Sequence, residues 1–492
     1  MSISNQDLSI ENVIKINSLI GSTCESLNVE AYLVGGFIRD YLLGRSVNDI
    51  DIVVCDKPKA IAEDISTKLG ATYFLIDSNA GIYRINVQYE SAMLNIDIGI
   101  IDKSIYHNLS KRDFTIDAMA VKLDSKFCGI ELNDLIDPYG GFISIQNRVI
   151  KAVSDFCFQD DPLRLLRCIR LYAQLDFEID QQTMRMVIAN VEAINQVSSE
   201  RSREEIFKIL SLPKLTDHLH ILDKVGLLGA LIPELNTTRN VVQPKEHYWD
   251  VFEHSLNAAG MVEKIFNRTH ELDFVKVSIP KFPDMDIYFN QKISDSQTRL
   301  TFLKFTALLH DIGKPSTNTL DSSGKIRFLT HSEVGSVISN GIMNRLRISK
   351  RGIDIVEGMI KNHLRPAQMS QSGDLPTDKA IYKYFRDVGE VAIDTLYLDL
   401  ADYLAMRGPN LENKEWLELC NRTDYIIKQY MCIEKRQKEE ITVLLNGNEI
   451  MEKFDLMPGP KIGALIAKIK EAQALGDIKS RDEALKFVES NI

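Results

Sequence analysis

Residues 35–56 read GGFIRDYLLGRSVNDIDIVVCD, a glycine pair and a short amphipathic run followed by Asp49 and Asp51 at the start of an apolar, β-branched segment. Side chains two apart on a strand project to the same face, so the two carboxylates stand side by side. Their mutual repulsion asks for a cation. Hard oxygen ligands at a strand end suit Mg²⁺, which takes a few carboxylates and fills its shell with water and substrate phosphate. The chemistry that uses such a pair is phosphoryl or nucleotidyl transfer with two metals. Gly35 and Gly36, ahead of a helix, add backbone N–H groups that can hold phosphate. An Asp-x-Asp alone is equally a solvated strand end; joined to the Gly-Gly turn it is far more specific.

Outward from this stretch, the first third of the chain alternates apolar runs (AYLVGG, DIDIVV, TYFLID, MLNIDIGII) with the helical pattern IAEDISTKLG, which predicts a mixed α/β domain over 1–150. From about Asp155 the periodicity turns helical (DPLRLLRCIRLYAQL, ERSREEIFKILSL), predicting a helical neck and body over 151–240. A second helical region, 241–412, holds six of the nine histidines: His247, His254, His270, His310, His331 and His363. A Pro-Gly-Pro turn and a lysine-rich helix predict a small helical tail over 413–492. The fold class expected is therefore α+β, a mixed N-terminal head followed by helical domains.

Composition narrows the function classes. With 492 residues, 45% hydrophobic and 26% charged, and no apolar run long enough to cross a bilayer, the chain reads as a multidomain non-membrane protein. Its N-terminus lacks a basic region followed by a continuous apolar core, and its seven cysteines are scattered without C-x-x-C spacing. Both features point to the cytoplasm, with the cysteines as small apolar fillers. The net charge of −11 disfavours a general polyanion-binding surface, so contact with nucleic acid must come from local patches such as Arg164, Arg167 and Arg170.

LVGGFIRDYLLGRSVNDIDIVV resembles the signature of the class II tRNA nucleotidyltransferases and bacterial poly(A) polymerases. KRDFTIDAMA (111–120), DPYGG (137–141), DDPLRLLRCIR (160–170) and ERSREEIFKIL (200–210) continue the resemblance in the family's order. It implies that Asp49 and Asp51 are catalytic and bind two Mg²⁺ ions, with Asp97 a plausible third carboxylate. It implies nucleotide contacts from Gly36, Arg39, Arg112 and Asp113. It makes Asp161 and Arg164, three apart and so on one helix face, the pair that reads the base edge without a nucleic-acid template, with Arg167 and Arg170 extending that face toward phosphate. The family usually has Arg, Asn and Glu where this chain has Lys111, Asp117 and Asp160, and Asp117 adds a negative charge near the triphosphate site.

His254, the His310-Asp311 pair in LLHDIGKP, and Asp402 resemble the ordered ligand set of HD-type metal phosphohydrolases, implying a divalent metal of unassigned identity, with His331 and His363 serving a second metal or a phosphate. The resemblances together imply an enzyme that adds CCA to the tRNA 3′ end from CTP and ATP, with tRNA as partner, no membrane and no obligate protein partner evident. Enzymes that add only A or only CC, and poly(A) polymerases, remain alternatives. The last commonly carry a basic loop, of the GRRF type, where this chain has TYFLIDSNAGIYRINVQ, which favours tRNA. In another class altogether, the HD domain is the principal activity, a phosphatase or 2′,3′-cyclic phosphodiesterase, with the N-terminal half binding RNA.

Overall fold

In the computed structural model, the described residues are 10–47, 49–77, 81–89, 92–294, 296–369, 374–439 and 444–492. Residues 1–9 of the N-terminus, Asn48 of the opening motif, residues 78–80 of the TYFLIDSNAGIYRINVQ segment and residues 440–443 of the tail lie outside them. The chain divides into two compact units. One runs to Ile209 and includes Ile221–Leu231; the other comprises Leu210–His220 and the chain from Ile232 onward.

The first unit is built on a seven-stranded sheet of β1 (Ala31–Val34), β2 (Asp49–Val54), β3 (Thr72–Asp77), β4 (Ile82–Tyr89), β5 (Ala92–Ile100), β6 (Ala120–Leu123) and β7 (Leu135–Ile136), in the order β3-β4-β5-β2-β1-β6-β7. All pairings are antiparallel except β2 with β5. Period-two alternation decides what β2 buries: Ile50 and Ile52 go into the core while Asp49 and Asp51 take the opposite face. The parallel register sets Asp51 beside Asp97 and Asp49 beside Asn95. Helices α1 (Ile10–Ser26), α2 (Gly36–Leu42) and α3 (Pro58–Leu69) accompany the first strands, α3 burying Ile61, Ala62 and Ile65.

Shorter helices α4 (Ile105–Ser110), α5 (Gly141–Gln146) and α6 (Cys157–Asp160) lead to α7 (Arg164–Leu175), followed by α8 (Gln181–Ala189) and α9 (Ser199–Ser211). A two-residue parallel pair, Val149–Ile150 with Glu178–Ile179, ties the entry and exit of α7 together, a strand signal too short to show in the sequence. Helix α7 is strongly amphipathic: Leu165, Leu166, Cys168, Ile169, Leu171, Ala173 and Leu175 are buried, leaving Arg164, Arg167, Arg170 and Gln174 on the polar stripe.

The second unit is almost wholly helical. Helix Val251–Asn267 packs against Arg299–Leu309 and Ala392–Arg407, and His331–Arg345 against Lys350–Asn362. Two short antiparallel pairs, Lys292–Ser294 with Gln297–Thr298 and Asn318–Leu320 with Ile326–Phe328, interrupt the helices. At the C-terminal end, Gly447–Phe454, Pro460–Leu475 and Arg481–Glu489 enclose a small apolar core around Ile450, Leu465, Ile469 and Val488. Capping boxes at Asn446/Glu449 and Ser480/Glu483 start two of these helices. Pro460 of the Pro-Gly-Pro turn opens the third, where its missing N–H costs nothing.

Four cysteines (24, 157, 168 and 420) are buried and match the filler expectation, while Cys55, Cys128 and Cys432 are exposed; all seven are free thiols. Among the described residues, no helix is long and apolar enough to cross a membrane.

Candidate functional sites

Asp49, Asp51, Gly36, Arg39, Arg112, Asp113, Asp117, Arg167 and Arg170 line one cavity of about 380 Å³ in the first unit. Its catalytic end follows from strand pairing. Asn95 donates to Asp49 Oδ1 at 2.8 Å, and Arg84 clasps both oxygens of Asp97 at 2.7 and 2.6 Å. Burial pushes the Asp51 carboxyl up to about 6; Arg112 opposes this, and the negative charges of Asp97 and Asp49 add to it. A group of hard oxygen donors short of positive charge is what a divalent ion of the Mg²⁺ type fits.

The Gly-Gly turn is required by what lies against it. Gly35 has φ 76° and ψ −148°, and a Cβ there would come within 3.0 Å of Asp51 Oδ2 and 3.1 Å of Arg112 Nη1. Glycine therefore lets the Asp51 carboxylate and the Arg112 guanidinium approach the same point of backbone.

Arg39 is only 6% exposed and is engaged through three of its five N–H groups: Nη1 donates to Asp117 Oδ1 at 2.7 Å, while Nε and Nη2 hold Asp40 at 3.0 and 2.7 Å. The added charge of Asp117 is thus met by a buried ion pair and is not presented bare to the cavity. Asp113 is held by Arg167 Nε at 2.7 Å. Burial alone would raise the Asp113 carboxyl, but the charge and hydrogen bond of Arg167 bring it below the usual carboxylate range.

Asp161 and Arg164 do not share a helix face. Asp161 is extended (φ −150°, ψ 103°) and α7 begins only at Arg164, because Pro162 excludes the helical conformation from the residue before it. Asp161 accepts from the Leu163 N–H at 3.2 Å and is gripped by Arg201 at 3.3 and 2.7 Å. Arg164 turns to the carbonyls of Cys157 and Lys111, at 3.1 and 2.6 Å. Neither lines the cavity, whereas Arg167, Arg170 and Gln174 further along α7 do. Gln174 was not singled out in the sequence; its position four residues after Arg170 on the arginine stripe was the available signal.

In the second unit, His254, His310, Asp311 and Asp402 converge, joined by His331 and His363. His254 Nε2 lies 2.9 Å from Asp402 Oδ1, 3.4 Å from Asp311 Oδ2 and 3.3 Å from His310 Nε2, and His310 Nε2 is 3.2 Å from Asp311 Oδ2. On the other side of the same carboxylate, Oδ1 is 3.4 Å from His331 Nε2 and 3.9 Å from His363 Nε2, these two rings being 3.2 Å apart. Asp311 therefore bridges two potential ligand groups, His254-His310-Asp311 and Asp311-His331-His363.

Helix Arg299–Leu309 ends at His310, and the chain turns sharply at Gly313, where a Cβ would meet His331 O at 2.2 Å. That turn brings Lys314 Nζ to 2.5 Å from Asp311 Oδ2 and 2.8 Å from Gln243 Oε1.

The hydrogen bonding prepares this cluster for metal. His310, His331 and His363 each donate Nδ1–H to a backbone carbonyl, of Ala307, Phe328 and Ile360, at 2.8, 2.7 and 2.7 Å. That fixes the tautomer and turns the Nε2 lone pairs inward. Donors sharing an ion at about 2.1 Å stand roughly 3.0 to 3.4 Å apart, close to most separations seen here. Burial would lower His310, but Asp311 and Asp402 lift it to about 10; burial and the charge of His310 drive His363 down to about 4.

Three segments of the chain match known families. Residues 31–151 match the Poly A polymerase head domain family, 176–238 the "Probable RNA and SrmB- binding site of polymerase A" family, and 251–407 the HD domain family. The chain is 29% identical over 468 residues to the A-adding tRNA nucleotidyltransferase of Deinococcus radiodurans, covering 93% of this chain and 95% of that one. It is 30% identical over 468 residues to the CC-adding tRNA nucleotidyltransferase of Thermus thermophilus, covering 93% of each. A CCA-adding enzyme of Geobacillus sp. is 32% identical over 237 residues, which is 46% of this chain and 56% of that one. Among solved structures, the complex of a CCA-adding enzyme with ATP shares the fold, with a TM-score of 0.63 at 21% identity, covering 97% of this chain and 95% of that one.

Proposed function

The chain belongs to the tRNA nucleotidyltransferase family, and we propose that it completes the CCA sequence at tRNA 3′ ends from CTP and ATP, without a nucleic-acid template, in the cytoplasm. The observation that carries this reading is the pairing of Asp51 with Asp97 and of Asp49 with Asn95, with Asp49, Asp51 and Arg112 lining a cavity that α7 helps to wall. Asp49 and Asp51 would hold Mg²⁺, which supplies activation of the RNA 3′-hydroxyl and charge neutralisation at the triphosphate. In the reaction the 3′-oxygen bonds to the α-phosphorus and the bond to pyrophosphate breaks. Arg112, which lines the same cavity as Asp51, would meet the phosphates. Arg39, tied to Asp40 and Asp117, keeps two further N–H groups and lines the cavity, where it would contact the nucleotide. Asp161 and Arg164 serve the base only after leaving Arg201 and the backbone carbonyls.

A narrower reading has its own support: the relatives aligned over 93% of the chain are named A-adding and CC-adding, whereas the CCA-adding relative aligns over 46%. Extension of transcripts ending before CCA, after C and after CC, with CTP and ATP separately and together, tests both. Completion of all three supports the full reaction; addition of only C or only A supports the divided one; no addition refutes both.

The bridged histidine cluster supports a second activity, metal-dependent hydrolysis of a phosphoester, in which Asp311 would be shared between two ions. Release of phosphate from p-nitrophenyl phosphate or opening of 2′,3′-cyclic AMP, assayed with Mn²⁺, Mg²⁺ or Ni²⁺ and lost in Asp311→Ala, tests it. Absence of turnover with every metal sinks this second reading and leaves the first intact.

A further inference from the structure

A cavity of about 570 Å³ lies in the second unit, between helix Met285–Asn290, the start of Ala392–Arg407 and the later turns of Asn413–Glu439. That is the size of a small-molecule site, which pairs apolar walls with a few fixed polar groups. Helix Ala392–Arg407 carries Ile393 on the cavity and Asp402 in the histidine cluster. Nine residues at 1.5 Å each set these roughly 14 Å apart along the helix, so the cavity is separate from that cluster. Its walls are aromatic: Phe385 and Tyr430 lie parallel, ring centroids 3.5 Å apart at 8°, and Phe282 meets the edge of Tyr288 at 5.9 Å.

Arg299 supplies the polar group. It lines the cavity yet is only 3% exposed, and its hydrogen bonds all leave from one nitrogen. Nη1 donates to Asp394 Oδ2 at 2.6 Å, to the Tyr288 hydroxyl at 3.1 Å and to the Glu390 carbonyl at 3.3 Å. Nε is buried with no hydrogen-bond partner, and among the described residues Nη2 donates to none. A guanidinium has five N–H groups and no acceptor, and leaving buried donors unmade is unfavourable, so this free edge calls for an acceptor from outside the protein.

The surrounding charge selects the kind of acceptor. Arg299 and Arg351 share the lining with Asp284, Glu390 and Glu434, and Arg351 is already clasped by Glu390 at 2.7 and 2.5 Å. With Asp394 also bound to Arg299, the site is net negative and opposes a carboxylate or a phosphate. A neutral carbonyl oxygen meets the free donors without that repulsion. We infer that this cavity binds an uncharged, planar aromatic small molecule whose ring carbonyl accepts from Arg299 and whose ring lies against the aromatic walls, where offset stacking adds to the apolar burial.

The probes are acridone and carbazole, two fluorescent flat tricycles that each carry one ring N–H and differ chiefly in the acridone carbonyl, with 2-naphthoate as the anionic counterpart. Each is titrated into the full chain. Expected is one saturable acridone site with affinity about tenfold to a hundredfold above that for carbazole, as a hydrogen bond to a charged donor commands, and weaker binding of 2-naphthoate. Ile393→Trp fills the cavity from its wall, and Ile287→Trp from the rim, where Ile287 is 67% exposed. Both should abolish acridone binding, with circular dichroism and thermal melts as folding controls, and the rim variant carries the test where the wall variant does not fold. Equal affinities for acridone and carbazole overturn the inference, as does acridone binding that persists in the folded variants. Tighter binding of 2-naphthoate than of acridone overturns the neutral assignment. No saturable binding of any probe overturns it as well and leaves a water-filled cavity. A single-stranded RNA decamer that displaces acridone, and whose own binding is lost in Ile287→Trp, reassigns the cavity to an RNA base and overturns the small-molecule reading.

Discussion

Gly35→Ala should damage catalysis out of proportion to stability, and the structure says by how much. The φ of 76° with ψ of −148° lies in a region open to glycine alone, so an L-residue costs about 1–3 kcal/mol. The new methyl would also sit 3.0 Å from Asp51 Oδ2 and 3.1 Å from Arg112 Nη1, so both groups must shift by a few tenths of an ångström. Since a misplacement of ~1 Å costs about 10²-fold, shifts of a few tenths of an ångström imply a fall in turnover of roughly threefold to tenfold. Gly44→Ala is the control: its φ is 65°, so it too bears a backbone cost, but nothing lies within 4 Å of its added carbon. Single-turnover addition of labelled CTP to a tRNA transcript, paired with thermal melts, separates the two effects. Wild-type turnover in Gly35→Ala, or an equal loss in Gly44→Ala, would refute the argument that Gly35 exists to admit Asp51 and Arg112.

Other outcomes follow from the same geometry. Asp311→Ala should abolish both metal ions of the histidine cluster, whereas His363→Ala should remove only one, read by metal analysis of the purified protein after dialysis against Mn²⁺. Arg299 and Asp394, both buried and 2.6 Å apart, form an ion pair whose single-sided removal by Arg299→Met costs about 3–5 kcal/mol, while Arg299→Met with Asp394→Leu recovers most of it, read by urea midpoints. Burial presses the Lys304 amine down to about 8, against a partly opposing Glu263. The unfolded chain therefore binds the extra proton between about pH 8 and pH 10.5, and stability rises with pH across that window by about 3 kcal/mol. The destabilisation is fully present below pH 8. Urea midpoints of wild type at pH 7.5 and 10, compared with Lys304→Met, should show the pH gain only in wild type.

Local pattern carried the site as far as local pattern reaches. The Asp49-Ile50-Asp51 alternation, with apolar strands around it, was enough to place two carboxylates on one face, and the NIDIGI run was enough to nominate Asp97. Their adjacency depends on the parallel register of β2 with β5, which joins segments more than forty residues apart. The helical reading of Asp161 and Arg164 failed on one residue, Pro162, whose ring keeps Asp161 extended. The engagement of Arg39 by Asp117, and of Asp161 by Arg201, was invisible because each partner is distant in sequence and any arginine looks free until its carboxylate is located. Likewise the histidine motif revealed its ligands, but the division of Asp311 between two groups needed the turn at Gly313.

The most direct test of the central claim compares nucleotide addition by Asp49→Asn/Asp51→Asn protein with that by His310→Ala/Asp311→Ala protein, on transcripts ending before CCA with CTP and ATP in Mg²⁺. The account predicts that the first pair abolishes incorporation and that the second leaves it intact. Incorporation that survives the loss of Asp49 and Asp51, or that vanishes in a folded His310/Asp311 variant, would contradict it.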